Sequence, residues 1–166
     1  MPSQSATDVD AGLLRAPLGV LVVDDQLAVR EGVARLISCA AMPMRCVGTA
    51  ATGPEALRAA AQLRPEIVVL DVDLAGEDGL ALIPQLAVNA RVLVLTSHGD
   101  AATRARARLL GACAFVEKHQ PAADLLGSIV ELSHPQLRGE TTPGTEGPRS
   151  HLDLAASSAA SVRGNP

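Results

Sequence analysis

Seven polar residues stand at the ends of apolar runs in this chain of 166 residues. Asp24 and Asp25 follow Gly19 to Val23, and Asp71 follows Ile67 to Leu70 with Asp73 two residues beyond. Thr96 and Ser97 follow Val92 to Leu95, and Lys118 lies just past Ala112 to Val116. Carboxylates gathered in one crevice repel one another, so such a group requires a cation or the uptake of protons. Oxygen-only ligands suit Mg²⁺, a hard cation that bridges one or two carboxylates to phosphoryl oxygens while keeping several waters. Lys118 would then serve as a point charge for one phosphoryl oxygen, and the Thr96 hydroxyl would donate to another. The chemistry these residue types support is phosphoryl transfer, with a carboxylate as nucleophile.

Each residue alone has a plainer reading. Asp24 and Asp25 could cap a helix, since Asp is a favoured cap residue. Asp78-Gly79 is a turn signal. What favours the chemical reading is that the polar groups fall at four separate strand ends, because ligands of parallel α/β sheets bind beyond the carboxyl ends of the strands.

The elements that must position them can be read from the apolar pattern. Five short apolar runs, Gly19 to Val23, Arg45 to Thr49, Ile67 to Leu70, Val92 to Leu95 and Ala112 to Val116, alternate with helical patterns between Leu18 and Leu132. That alternation is the signature of βαβ units and a parallel sheet. Runs that are apolar throughout imply strands covered on both faces. Val29, Val33, Leu36, Ile37 and Ala40 form one helical stripe. Thr52 with Glu55 makes a capping box, Pro54 suits a first turn, and Leu57, Ala60 and Leu63 or Ala61 supply an inward stripe that ends near Pro65. Three further helices are expected over Leu80 to Val88, Asp100 to Leu110 and Pro121 to Leu132, so the pattern is (βα)₅, an α/β domain.

Composition narrows the function classes. Phe115 is the sole aromatic, so Val, Leu, Ile and Ala must build the core. A net charge of −4 offers no basic stripe for nucleic acid. Arg104, Arg106 and Arg108 alternate along a helix and read as solvated charge. Cys39, Cys46 and Cys113 have no ligand-like spacing and read as reduced core thiols in a cytoplasmic protein. Met1 to Arg15 has no secretory pattern, and no stretch is long enough to cross a membrane. After Leu132 the chain is rich in Pro, Gly, Ser and Thr, a composition that favours disorder. An Ala-rich stretch from Leu152 to Ser161 has helix-forming composition but little apolar surface to dock.

Four segments carry a resemblance to a known family: Val20-Leu-Val-Val-Asp-Asp25, Ile67-Val-Val-Leu-Asp-Val-Asp-Leu-Ala-Gly-Glu-Asp-Gly-Leu80, Val92-Leu-Val-Leu-Thr-Ser97 and Phe115-Val-Glu-Lys118. In this order they resemble the receiver domains of two-component response regulators, chemotaxis-receiver-like and closest in wording to receivers of nitrate/LuxR-type regulators. The resemblance implies a doubly wound five-stranded parallel sheet in the flavodoxin-like order 2-1-3-4-5. The chain then reads as a flexible extension over residues 1–16, a receiver domain over 17–133 and a largely disordered tail over 134–166; receivers of this kind usually precede a helix-turn-helix DNA-binding domain, and the tail has neither the length nor the apolar periodicity expected of one.

The resemblance further implies that Asp71 is the phosphoacceptor and that Thr96 and Lys118 contact the phosphoryl group. Asp25, Asp71 and the backbone carbonyl of Asp73 would hold Mg²⁺, with Asp24 helping to hold the metal and its waters. Thr96 and Phe115 would move together as a switch. The implied partners are a sensor histidine kinase or phosphotransfer protein and a downstream protein, with phosphorylation-linked homodimers a family expectation and direct DNA binding by this chain not expected. Two departures stand out: Leu74-Ala75 replaces the usual Met-Pro, and His119 replaces the usual proline after the lysine. Asp73 and His98 occupy positions that tune acyl-phosphate lifetime in such receivers. A competing reading takes Asp71-Val72-Asp73 as the Asp-x-Asp of a haloacid-dehalogenase-type Mg²⁺-dependent phosphatase.

Overall fold

Ile67, Val68, Val69 and Leu70 are each at most 1% exposed, which demands a strand with neighbours on both edges and cover on both faces. A computed structural model describes residues 16–134 and supplies both. The apolar runs form β1 (Leu18–Val23), β2 (Met44–Ala50), β3 (Ile67–Leu70), β6 (Arg91–Thr96) and β7 (Ala114–Glu117). Between β3 and β6 lies a two-stranded antiparallel hairpin, β4 (Asp73–Leu74) and β5 (Glu77–Asp78). The main sheet is parallel throughout in the order β2-β1-β3-β6-β7. Leaving out the hairpin, this is the expected order 2-1-3-4-5.

Alternate side chains of the strands serve opposite faces, as strand geometry requires. Leu21, Val23, Val68, Leu70, Val92 and Val94 pack with Ala56, Ile83, Leu86 and Ala107 on one face. Val20, Val22, Ile67, Val69, Leu93, Leu95 and Val116 pack with Ile37, Leu125, Ile129 and Leu132 on the other. The covering helices are α2 (Gly53–Leu63), α3 (Ile83–Leu86) and α4 (Ala101–Leu109) on the first side, and α1 (Leu27–Ser38) and α5 (Ala122–Ser133) on the second. Each fully buried aliphatic side chain contributes about 1.5–3 kcal/mol of transfer free energy, so a core almost without aromatics can still be deep.

Local signals act as expected at most helix ends. The Thr52 hydroxyl accepts from the Glu55 N–H at 3.4 Å, and the Glu55 carboxylate accepts from the Ala51 N–H at 2.9 Å. Arg64 turns into the left-handed region with φ 46 just before Pro65, closing α2. The Asp100 carboxylate caps α4 by accepting from the Thr103 N–H at 2.6 Å.

Three expectations need correction. The helix expected over Leu80 to Val88 is a 3₁₀ turn, Gly79–Leu82, followed by the four residues of α3. Pro84 has no N–H to give the Leu80 carbonyl, so the Ile83 N–H takes it in a tighter turn. In α2 the inward residues include Ala56, Leu57 and Ala60, whereas Leu63 is 44% exposed. The core reading of the cysteines holds only in part: Cys39 is exposed, whereas Cys46 and Cys113 are half-buried and pack against the second face's core. No helix among the described residues is long and apolar enough to cross a membrane. The expected extension and tail lie outside the described residues apart from Ala16 and His134, and so does the Leu152 to Ser161 stretch.

Gly79 has a larger part than a turn signal. A Cβ there would stand 2.1 Å from the Asp71 carbonyl oxygen and 2.9 Å from that of Val72, and the Gly79 N–H donates to the Val72 carbonyl at 2.7 Å. The 3₁₀ turn thus lies directly on the backbone that carries Asp71. Gly79→Ala should lower stability by about 1–3 kcal/mol through overpacking against backbone that cannot move aside, read from the urea midpoint at unchanged denaturant slope. A midpoint equal to wild type would contradict this close approach.

Candidate functional site

The strand ends converge as the sequence suggests. The last residue of β1 pairs with the last of β3, Val23 with Leu70, so Asp24 and Asp71 leave adjacent strands at the same level. The Asp71 N–H donates to the Val23 carbonyl and the Asp24 N–H to the Ala50 carbonyl, carrying the ladder up to the site. On the other side, Thr96 ends β6 and the Lys118 N–H donates to the Thr96 carbonyl at 2.7 Å.

Carboxylate oxygens of Asp24, Asp25 and Asp71 all lie within 4.8 Å of one another. Asp24 is 2% and Asp71 4% exposed, whereas Asp25 is half-buried. Lys118 answers this charge: its Nζ lies 2.6 Å from Asp71 Oδ2 and 2.7 Å from Asp24 Oδ2. The other oxygens are also placed. Asp71 Oδ1 accepts from the Val72 N–H at 2.7 Å and Asp24 Oδ1 from the Gln26 N–H at 2.9 Å. Burial pushes the Asp71 carboxyl above the usual carboxylate range, while the hydrogen bond and charge of Lys118 pull the other way. For Lys118, burial works to depress the ammonium, but its bonds to Asp24 and Asp71 outweigh it and hold it above an ordinary lysine. Among the described residues a single positive charge faces three acidic side chains, and all the donor atoms are oxygens. The set fits a hard divalent cation such as Mg²⁺.

Not every expected residue joins the cluster. Asp73 is exposed, and its carboxylate accepts from the Gly76 N–H at 2.8 Å, holding the hairpin turn in which Ala75 and Gly76 have positive φ. That commitment takes the Asp73 carboxylate out of the group around Asp71 and removes the acid that a dehalogenase-type phosphatase would need. The buried Thr96 hydroxyl donates to the His98 carbonyl and accepts from the His98 N–H, each at 3.3 Å. His119 does not displace Lys118 from the site. The turn is secured by the Gln120 side chain accepting from the Glu117 N–H at 2.9 Å and by His119 Nε2 at 3.2 Å from Glu117 Oε2.

Several positioning residues escaped the sequence reading. Arg30, read only as lying off the apolar stripe, donates from Nη1 to the Asp24 carbonyl at 2.6 Å and the Asp25 carbonyl at 3.3 Å, pinning the loop that presents both acids. Its spacing of one to two helical turns from the acids is the signal that could have found it. The reading of the α4 arginines as solvated charge is corrected for two of them. Arg104 pairs with Glu117 at 3.0 Å, and Arg106 pairs with Asp78. Glu117 and Phe115 share a strand face, so a partner for Glu117 also meets the ring.

The family model for the response regulator receiver domain matches residues 20–130. The chain belongs to this family. It is 33% identical over 144 residues to the positive alginate biosynthesis regulatory protein of Pseudomonas aeruginosa, covering 81% of this chain and 57% of that protein. It is 32% identical to the transcriptional regulatory protein LnrK of Bacillus subtilis, covering 67% of this chain and 51% of the relative. The chain thus spans little more than half of these relatives. Among solved structures, it resembles a LuxR-family two-component response regulator from Aurantimonas sp. SI85-9A1 at 33% identity and TM-score 0.65, covering 69% of this chain and 84% of that one. The receiver domain of a putative response regulator NarL from Mycobacterium tuberculosis matches at 27% identity and TM-score 0.66, covering 70% and 96%. The receiver assignment agrees with the four motifs, and the phosphatase alternative finds no support.

The raised Asp71 carboxyl has a consequence for stability. A carboxyl whose folded pKa lies above its unfolded value favours the fold at low pH and loses that advantage as pH rises through the folded pKa. Asp71→Asn, which cannot ionise, should therefore gain stability relative to wild type as pH rises from acid to neutral in metal-free buffer. Melting temperatures across that range test it, and a gap that shrinks toward neutrality would contradict the burial argument.

Proposed function

We propose that this receiver accepts a phosphoryl group on Asp71 in a Mg²⁺-dependent reaction and works as a phosphorylation-dependent conformational switch. The observation that carries the reading is the Lys118 ammonium 2.6 Å from Asp71 within the Asp24, Asp25 and Asp71 cluster. Receiver domains act with histidine kinases or phosphotransfer proteins, so the donor is a phosphohistidine on such a partner. An Asp71 carboxylate oxygen attacks phosphorus, the phosphorus–nitrogen bond of the donor breaks with its electron pair left on the imidazole, and an acyl phosphate forms.

Protein groups contribute mainly position and charge, as is general in phosphoryl transfer. The Val72 N–H fixes one Asp71 oxygen, and Lys118 favours the ionised, nucleophilic form and then faces the new phosphoryl oxygens. Asp25, Asp71 and the Asp73 carbonyl would hold Mg²⁺, with Asp24 supporting its waters. The ion, when bound, supplies neutralisation of the phosphoryl charge. Asp71 lies at the end of β3, one strand from Thr96, so an acyl phosphate there competes with His98 for the Thr96 hydroxyl. Thr96 and Phe115 form the switch, and the altered face passes the signal to a downstream protein. The chain's own part is that of a phosphoacceptor with self-catalysed transfer and loss of phosphate, in the cytoplasm.

Incubation with acetyl phosphate and Mg²⁺ should give acid-stable label in the wild type. The label should be absent in Asp71→Asn and reduced at least tenfold in Asp25→Asn, since loss of a metal-holding or electrostatic group costs on the order of 10²-fold in such steps. Label that persists in Asp71→Asn would sink the assignment.

A further inference from the structure

We propose that Arg104 is a positioning residue for the phosphoacceptor chemistry, a latch whose guanidinium holds Phe115 and Glu117 in the resting arrangement and so opposes phosphorylation of Asp71. This rests on the reading of Asp71 as phosphoacceptor. Arg104 Cζ stands 4.5 Å from the centroid of the Phe115 ring, and its Nη2 lies 3.0 Å from Glu117 Oε1. One planar group thus covers the sole aromatic of the chain and closes an ion pair with the residue two positions along the same strand. A lysine could make the pair but lacks the flat face for the ring.

The link to the site runs through contacts in series. The Thr96 hydroxyl has a single proton, and it is given to the His98 carbonyl. Donating that proton to a phosphoryl oxygen on Asp71 turns the hydroxyl away from the His98 carbonyl and so loosens the turn from Thr96 to Gly99. Gly99 has no slack on its outer side: a Cβ there would stand 2.7 Å from Phe115 Cε1 and 2.8 Å from Glu117 Oε1. An outward shift of the loop therefore meets Phe115 and Glu117, the two residues that Arg104 holds. Glu117 extends the same hold to the Lys118 turn, because its second oxygen lies 3.2 Å from His119 Nε2. Two residues along, α4 also carries the exposed Arg106–Asp78 pair.

A group that stabilises the resting state lowers the apparent affinity of anything that binds the switched state, in proportion to the population it withholds. Beryllofluoride, a stable stand-in for the phosphoryl group, is the probe. Titrated with Mg²⁺ into the full chain and followed by calorimetry, it should bind Arg104→Ala about fivefold more tightly than wild type, the size expected for a partly exposed ring stack plus an ion pair. Arg104→Lys, which keeps the charge, should fall between the two. Glu117→Gln should shift in the same direction as Arg104→Ala, and the double variant should gain less than the sum of the two. A purely structural Arg104 would lower the melting temperature and leave the affinity ratio at one, which overturns the latch. Should Arg104→Ala fail to fold, Arg104→Lys decides, and unchanged affinity there overturns it equally. If wild type binds no beryllofluoride, the phosphoacceptor reading fails and the latch with it; binding by wild type with no shift in the variants removes the latch alone.

Discussion

Two carboxylates almost wholly out of water share one ammonium, and the rest of the site is organised around that imbalance. Lys118 bonds to both Asp24 and Asp71, so neither carboxylate has a cation to itself, and Asp25 adds a third acidic group at their side. Removing one partner from a buried ion pair typically costs about 3–5 kcal/mol because a charge is left uncompensated. Here the compensation is incomplete even with Lys118 in place, which is why burial still holds the Asp71 carboxyl above its usual range. A site left short of positive charge is suited to take up a divalent cation, and with it a dianionic phosphoryl group. The fold tolerates this because the imbalance sits at the end of a four-residue strand buried on every side.

That strand explains how precision is obtained with so few residues. β3 lies between β1 and β6, which fixes the level at which Asp71 emerges beside Asp24. Gly79 packs on the backbone just beyond it, and Arg30 ties down the loop from which Asp24 and Asp25 project. β7 brings Lys118 to the same edge from two strands away. Phe115 and Glu117 face the opposite side of β7 from Val116, so the strand that delivers the lysine also carries the ring and the acid gripped by α4.

Much of this was legible in the chain because it depends on local rules. The continuous apolar runs reported strands covered on both faces, Thr52 with Glu55 marked the start of α2 through the capping chemistry that the structure contains, and Pro65 marked its end. The acidic cluster and Lys118 were legible because residues at the carboxyl ends of parallel strands must meet. What escaped depends on distance in sequence or on a single missing atom. Arg104 and Glu117 are 13 residues apart, and Arg106 and Asp78 are 28 apart, so alternation along a helix could not reveal their partners. Gly79 looked like an ordinary turn glycine until its contact with the Asp71 carbonyl was seen. Pro84 lies inside the segment expected as the third helix, and its missing N–H leaves the Leu80 carbonyl to Ile83, a loss that an apolar pattern does not report. At Asp73 the side chain closes the adjacent hairpin, so its spacing from Asp71 does not place its carboxylate in the cluster; the metal role expected of it is for its backbone carbonyl.

The central claim is that a covalent bond forms at one oxygen of Asp71, and reduction with borohydride reports it in the wild-type sequence, with no substitution made. An aspartyl phosphate is reduced to homoserine, whereas a free carboxylate is not. After exposure to acetyl phosphate and Mg²⁺, reduction and peptide sequencing by mass spectrometry should find homoserine at position 71 alone. Homoserine at Asp24, Asp25 or Asp73, or none at any position in protein that has taken up phosphate, would contradict the account.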